Sequence, residues 1–572
     1  MHKGRLPRWV WVVLLVHLAL LLYIAWAHSP VENEGEYLPA GICHWKTGIF
    51  EPSCRNPPLS RLVGALPVLL LPHKFQPEWA ITDSDAKASE SLYLEFVTNN
   101  DDRMRWLYFA GRLACIPFSL LGAAICYSWA RELFGPTAGA VALLLWCFSP
   151  EMLANNALIM PDNFAASLGV WAAYRFRQWL REPNWPNSML AGVSLGWTLL
   201  AKATWLFLPV VLPCFWLVTR SYKSGLKGFV YEFSQLCWLC VIALFLINAT
   251  YGFEGTLQPL GKYQFRSPIF SGISIAEQPE GEPVSKFDMG NRFVNWHLGW
   301  VPVPLPRLYV VGIDLQSAAA QQRRDNYLFG GWNKEGWWYY YFAAALVKLP
   351  LGIWSLVALA AVLALCSSRF RAGWKEELWL LIPALVMLLL LISQHRISRH
   401  FRYVLPIAPF AYISISRVAR YPNAYKRTGG ALRMGAVASL LSATVVSSLA
   451  VYPHSMSYFN EAIGGPGRGY KYLLGSNLDR GQDAYYIDQW QRTHPEVPAA
   501  HNRNYSSIGR SLDRDARVLR AGWYLVSAEE LLHPKSPFHV LWGMEPKARI
   551  AYTTWVFHVP RDMTIRLPEE TR

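Results

Sequence analysis

The sequence predicts a polytopic α-helical membrane protein with a small polar C-terminal domain. Three observations carry this. Only 16% of the 572 residues are charged while 53% are hydrophobic, against about 25% charged in soluble proteins. Apolar runs long enough to cross a bilayer recur along most of the chain. The basic residues between those runs alternate from loop to loop. Mean hydropathy is only +0.15, so long polar stretches must dilute the apolar ones.

A spanning helix needs roughly 20 mostly apolar residues. The first run, Trp9 to Ala27, follows Lys3, Arg5 and Arg8. It resembles a signal peptide, but no small-residue cleavage site follows, since His28-Ser29-Pro30 comes next. An uncleaved first span is expected. Further runs cover 112–130, 137–155, 163–180, 188–203, 204–219, 229–252, 340–366, 378–393, 403–417 and 434–453. The expectation is therefore about eleven transmembrane helices. The stretch 188–219 reads either as one long helix or as a hairpin broken near Lys202.

The loops test this layout. Arg131, Arg175 to Arg181, Arg220 to Lys227, Arg369 to Lys375 and Arg417 to Arg433 fall on the same side as the basic N-terminus. By the positive-inside rule that side is cytoplasmic. This places a first loop, 28–111, outside, with two amphipathic stretches (Leu38 to Gly48 and Pro57 to Leu71) that can lie along the interface. A large loop, 253–339, is also outside, as is the tail 454–572. The transmembrane domain is then 1–453. The tail alternates apolar and polar residues over Ile550 to His558, as strands do, and is long enough for an α/β domain. The formal charge of +15 lies largely in short loops, where it sets topology, so nucleic acid is excluded as a partner.

Carboxylates beside a membrane are costly unless solvated or used. Glu32, Glu34 and Glu36 crowd the mouth of the first span, and Asp162 opens the run at 163–180 on the same face. Separately they read as a solvated turn and a helix cap. Together they place carboxylates from two spans where a glycosyl transfer needs a group to orient or deprotonate an acceptor. Such a transfer also needs cations for a leaving phosphate. Lys202, at the junction of two runs, either snorkels or meets an anion. The loop carrying Arg396, Arg399, His400 and Arg402 is basic on the outer face, so topology does not explain it and phosphate binding does better. Trp337, Trp338 and Tyr341 can stack on sugar or lipid, or form an interfacial belt. Asp162 with Glu34 offers only a partial site for a divalent cation, and no other metal-ligand spacing is present. Asn504-Tyr-Ser506 matches a glycosylation acceptor.

In this order, several segments resemble the polytopic GT-C glycosyltransferases, the group of protein O-mannosyltransferases and lipid A aminoarabinose transferases. They are Asn56-Pro57-Pro58-Leu59, Arg131-Glu-Leu-Phe-Gly135, Met160-Pro-Asp162, Leu200-Ala-Lys202, Arg402-Tyr-Val-Leu-Pro406, Tyr452-Pro-His-Ser-Met-Ser-Tyr-Phe-Asn-Glu461 and Ser476-Asn-Leu-Asp479-Arg-Gly-Gln-Asp483. The resemblance implies a bacterial inner-membrane, inverting enzyme. It would move a sugar from a polyprenyl-monophosphate donor to an extracytoplasmic protein, lipid or glycan. Its catalytic residues would be Glu34, Asn33 and Asp162. Lys202, Arg396, Arg399, His400 and Arg402 would hold the donor phosphate. The family opens its first loop with an Asp-Glu pair, and here the aspartate is Asn33. An amide accepts hydrogen bonds but takes no proton at neutral pH. A Trp of the tail motif is here Arg480. These departures leave two alternatives, an inactive member acting as a binding or assembly subunit and, by a different route, a transporter. A transporter would show ionisable residues in mid-membrane or inverted repeats.

Overall fold

A computed structural model describes residues 6–77, 85–220, 225–274, 278, 284–420, 428–497 and 518–564. The glycosylation match at Asn504 lies outside them. The chain opens with α1 (Arg8–Ala27), which is long and apolar enough to cross a membrane, then α2 (Glu32–Thr47), α3 (Leu59–Leu69) and α4 (Asp85–Asn99). The two amphipathic stretches of the first loop are thus helical. They pack tightly: a Cβ on Gly41 of α2 would lie 2.2 Å from the backbone oxygen of Arg61 in α3.

Next come α5 (Met104–Phe134), α6 (Pro136–Phe148), α7 (Pro150–Asn156), α8 (Pro161–Arg181), α9 (Trp185–Ala201), α10 (Leu208–Thr219) and α11 (Gly225–Thr250). Pro30, Pro136, Pro150 and Pro161 each fall at or just before a helix start, where the missing N–H is not needed. Lys202 is extended (φ −158°, ψ 132°) and ends α9, so the 188–219 stretch breaks at that residue. The loop 253–339 holds α12 (Pro268–Ser271), α13 (Arg307–Gln321) and the hairpin β1 (Asn326–Leu328) with β2 (Gly331–Asn333). Then follow α14 (Tyr340–Lys348), α15 (Leu351–Cys366), α16 (Trp374–Ser393), α17 (Ala408–Ile415) and α18 (Thr428–Val451).

Among the described residues five helices are long and apolar enough to cross a membrane: Arg8–Ala27, Asp101–Phe134, Gly225–Thr250, Trp374–Ser393 and Gly430–Val451. There are up to seven if the bent pairs α6 with α7 (58°) and α14 with α15 (114°) each count as one span. Hydropathy alone led to a higher number. The run at 163–180 is α8, which is buried along nearly its whole length. Enclosed by protein, it can carry Arg175, Arg177 and Arg181 at one end and still pack. The run at 403–417 is a 3-10 stretch followed by an eight-residue helix.

α8 also measures the slab. Its 21 residues span roughly 31 Å at 1.5 Å each. At its far end, Arg177 and Arg181 pair with Glu132 and Glu376, and Arg417 pairs with Glu377. At its near end stands Asp162. Along the helix axis Asp162 therefore stands about 22–29 Å from the charged layer at Arg177 and Arg181.

The tail contains α19 (Ala484–Thr493), β3 (Val518–Leu519), β4 (Gly522–Ser527), α20 (Ala528–Leu532), β5 (Ala548–Ile550), β6 (Thr554–Val559) and β7 (Met563–Thr564). The stretch read as one strand over Ile550 to His558 is two, β5 and β6, folded antiparallel. The turn between them places Ala551 at φ +49°. The sheet order is β4-β6-β5. Phe459, Leu473, Val526, Trp555 and Phe557 belong to the same buried cluster as the membrane helices, so the core runs on into the tail.

Candidate active site

The first loop is shaped by one arginine. Arg112 of α5 is buried and uses all five of its donors. Nη1 and Nη2 reach the carbonyls of Ala25 (2.8 Å), His28 (2.7 Å) and Ser29 (2.9 Å). These are carbonyls that the end of a helix leaves without partners. Nε and Nη2 grip Glu34 at 3.0 and 2.5 Å. Glu34 also accepts from the N–H of Val31 (3.0 Å), as in a capping box, and from that of Ile159 (2.8 Å).

A carboxylate offers about four lone-pair sites. All those of Glu34 are taken, and the residue is fully buried. The expectation that Glu34 meets an acceptor is corrected on this ground: it is the anchor that aims the start of α2. The expected carboxylate pair for a divalent cation changes with it, because Glu34 is bound to Arg112 and Asp162 to two other cations.

Asp162 is the second residue of α8. Its Oδ1 accepts from Lys202 Nζ at 2.5 Å, and its Oδ2 lies 3.2 Å from Arg402 Nε. Lys202 rests 4.4 Å from the centre of the Tyr403 ring, a cation–π contact. Arg402 also reaches Asn33, whose Oδ1 accepts from its Nη2 at 3.4 Å. The same oxygen accepts from Arg480 Nη2 at 3.2 Å. The acidic entrance, the head of α8, the basic loop and the tail motif therefore converge on one place.

The charge there is unbalanced. Lys202, Arg402 and Arg480 are all buried, and among the described residues the ion pairs of Lys202 and Arg402 are with Asp162. Among the described residues the Nη1 atoms of Arg402 and Arg480 make no hydrogen bond, a costly state for buried charge. The Arg480 guanidinium is pushed down to about 9, by burial first and by Arg402 next. His400 is held well below its ordinary value by burial and then by Arg402, Arg399, Arg480 and Arg324. The imidazole stays neutral in a field that favours anions.

The rest of the basic loop is committed elsewhere. Arg396 donates to the Gln321 carbonyl (3.0 Å) and pairs with Glu335 (3.0 Å). Arg399 pairs with Glu529 of α20. His400 Nδ1 is 2.6 Å from Ser476 Oγ. Of the expected phosphate contacts, Arg402 and Lys202 stand in the cluster, whereas Arg396 and Arg399 tie the loop to its neighbours. The aromatic trio also divides: Trp338 is 62% exposed and Tyr341 is buried. Trp337 is half-buried, its N–H donating to Ser398 Oγ at 3.1 Å.

Residues that the sequence left unassigned do the positioning. Asn477 accepts from the Phe401 N–H (2.9 Å) and donates to Tyr340 Oη (2.9 Å) and the Arg399 carbonyl (2.9 Å). It fastens the tail motif to the basic loop. Lys348 donates to the carbonyls of Met456 and Asn477 and pairs with Glu151 at 3.1 Å. Asn56 joins the first loop to the outer one, donating to Tyr37 Oη (3.0 Å) and accepting from Gln316 (2.6 Å). Arg112 and Lys348 carried a readable signal as lone basic residues in apolar runs.

Residues 105–249 match the family described as dolichyl-phosphate-mannose-protein mannosyltransferase. Over that stretch, the resemblance to the GT-C group is borne out. No curated protein matches the chain at a significant level. Solved structures are similar at low identity. ArnT from Cupriavidus metallidurans in the apo state is 13% identical with a TM-score of 0.45, over 96% of this chain and 97% of that one. The same protein bound to undecaprenyl phosphate is 12% identical with a TM-score of 0.45, at the same coverage. The archaeal oligosaccharyltransferase AglB from Archaeoglobus fulgidus, in complex with an inhibitory peptide and a dolichol-phosphate, is 11% identical. Its TM-score is 0.42, over 88% of this chain and 60% of that one.

Proposed function

We propose that the chain, with the mannosyltransferase family match over 105–249 as premise, is a membrane glycosyltransferase of GT-C type. It moves a sugar from a polyprenyl-monophosphate donor to an acceptor outside the bacterial cytoplasmic membrane, with inversion. The remaining expected crossings, such as 163–180, lie within the same slab, with the N-terminus inside and the tail outside. The observation that carries the reading is the buried cation cluster of Lys202, Arg402 and Arg480 beside Asn33 and Asp162.

The donor phosphate docks on the unpartnered guanidinium nitrogens of Arg402 and Arg480. As the acceptor attacks the anomeric carbon from the opposite face, the carbon–oxygen bond to phosphate breaks and negative charge grows on the leaving oxygen. Preorganised buried cations stabilise that charge more than they stabilise the ground state. Asp162 keeps Lys202 and Arg402 in position. The Asn33 amide orients the acceptor, and Glu32, the exposed neighbouring carboxylate, receives its proton.

The test is transfer from synthetic polyprenyl-phosphate sugars by the purified protein in nanodiscs. Arg402→Gln and Arg480→Gln should each lower turnover by about 100-fold, the scale of removing one charged transition-state contact. Unchanged turnover in both would sink the reading. A second reading, a binding subunit without turnover, is favoured by the amide at Asn33. It predicts lipid-phosphate binding by the wild type with transfer only in Asn33→Asp.

A further inference from the structure

The turn after α1 meets the turn after α18 away from the cation cluster, and three ligand-type side chains face one another there. His28 and Asp483 are buried and His454 is half-buried. One ligand atom from each of the three lies within 4.8 Å of the others. Asp483 Oδ1 is 3.6 Å from His28 Nδ1 and 3.2 Å from His454 Nδ1. In a tetrahedral zinc centre with bonds of about 2.0–2.1 Å, neighbouring ligand atoms stand about 3.3 Å apart. Both edges are close to that value.

The surroundings point the same way. His28 Nε2 lies 3.0 Å from the Pro453 carbonyl, which fixes the proton on that nitrogen and leaves Nδ1 as a lone pair. That lone pair faces Asp483 and, at 3.2 Å, the carbonyl of Gln482. Acceptors gathered in this way need a positive species among them. On the outer side, Thr553 Oγ1 donates to Asp483 Oδ2 at 3.0 Å, the kind of support that orients a metal-bound carboxylate. Tyr486 and Tyr552 pack on the His454 ring at 4.7 and 5.7 Å.

We propose that His28, His454 and Asp483 bind a divalent transition metal, with zinc the best fit to a nitrogen–nitrogen–oxygen set. His454, 17% accessible at its side chain, opens the site to solvent, and water would be the fourth ligand. The metal clasps the exit of α1, the exit of α18 and the tail motif. It is a positioning site, because Ser29 and Arg480, on either side of the clasp, also make the backbone contacts that seat α2.

Metal content and spectroscopy of the full chain in nanodiscs decide the matter. After chelator treatment, repletion with Zn2+ or Co2+ and desalting, elemental analysis should find one metal per chain. Co2+ should give the intense visible bands of a four-coordinate site. His454→Ala and Asp483→Asn should each weaken retention at least tenfold. His454→Cys keeps a ligand and should add a thiolate-to-cobalt charge-transfer band, a signal that no misfolded protein with an unrelated site would place on this residue. The proposal is overturned if no metal is retained, if His454→Ala retains it as the wild type does, or if folded His454→Cys shows no such band.

Discussion

Arg480 donates a hydrogen bond to the amide oxygen of Asn33 at 3.2 Å, so the two positions where the chain departs from the motifs it resembles touch each other. A carboxylate at 33 would form ion pairs with both Arg480 and Arg402. The amide leaves both cations more available to an anion from outside.

Asn33→Asp adds one negative charge between those guanidiniums. We expect it to raise thermal stability and to weaken undecaprenyl-phosphate binding by about tenfold, equivalent to roughly 1.4 kcal/mol. Lipid-dependent thermal shifts of both proteins check this. Equal affinity would show that the cluster's charge does not set anion binding.

Glu34→Gln acts differently. Removing one partner of a buried ion pair costs about 3–5 kcal/mol, and Arg112 would keep its three carbonyl contacts while losing its counter-charge. The expected result is a large fall in melting temperature. Glu32→Gln, at an exposed position, should lower transfer with little change in melting temperature. Stability and turnover measured side by side separate the two.

The tail should respond to pH. Burial raises the Asp479 carboxyl to about 7, with its one backbone donor, Gly481 N–H, opposing and Asp483 adding to the rise. Glu530 is likewise raised to about 7, mainly by burial. A carboxyl that holds its proton to higher pH when folded contributes stability that is full below its unfolded value. That stability is lost as pH rises through about 7. The loss for Asp479 is on the order of 4 kcal/mol at most, about 1.4 per unit over a rise from 3.8 to about 7. Melting at pH 5 and pH 8 should show the tail weaker at pH 8, and Asp479→Asn should reduce the difference.

Gly41→Ala is expected to be severe, since the new methyl would meet the Arg61 carbonyl rather than a side chain able to move. Overpacking of this kind costs about 1–3 kcal/mol or more. A melting temperature within a degree of wild type would mean that α2 and α3 separate easily.

How much of this could be read from the chain varies by residue. The break at Lys202 and the helices of the first loop were legible, because apolar periodicity and a lone cation mark them locally. Asp162 was legible as an acidic helix start. The fate of Glu34 was not: only the fold reveals that Arg112, far along the chain, points back at it. The basic loop misled for the same reason, since Arg396 and Arg399 find Glu335 and Glu529, whose positions no local pattern gives. α8 was legible as an apolar run, but not that neighbouring helices cover most of it, because burial by protein and burial in lipid select similar side chains.

Ser29, Glu32 and Asn33 are bound by Gln482, Gly481 and Arg480 through both backbone and side chain. The residues that follow α1 therefore wait for partners far along the chain, 452 residues further in the case of Ser29 and Gly481. A ribosome partway through the message exposes an entrance without its floor. The contacts around Ser29, Glu32 and Asn33 are complete only once the tail has been made and has folded against them. A truncation before residue 480 would leave every candidate span among the described residues in place and, under the proposed function, still give an inert product.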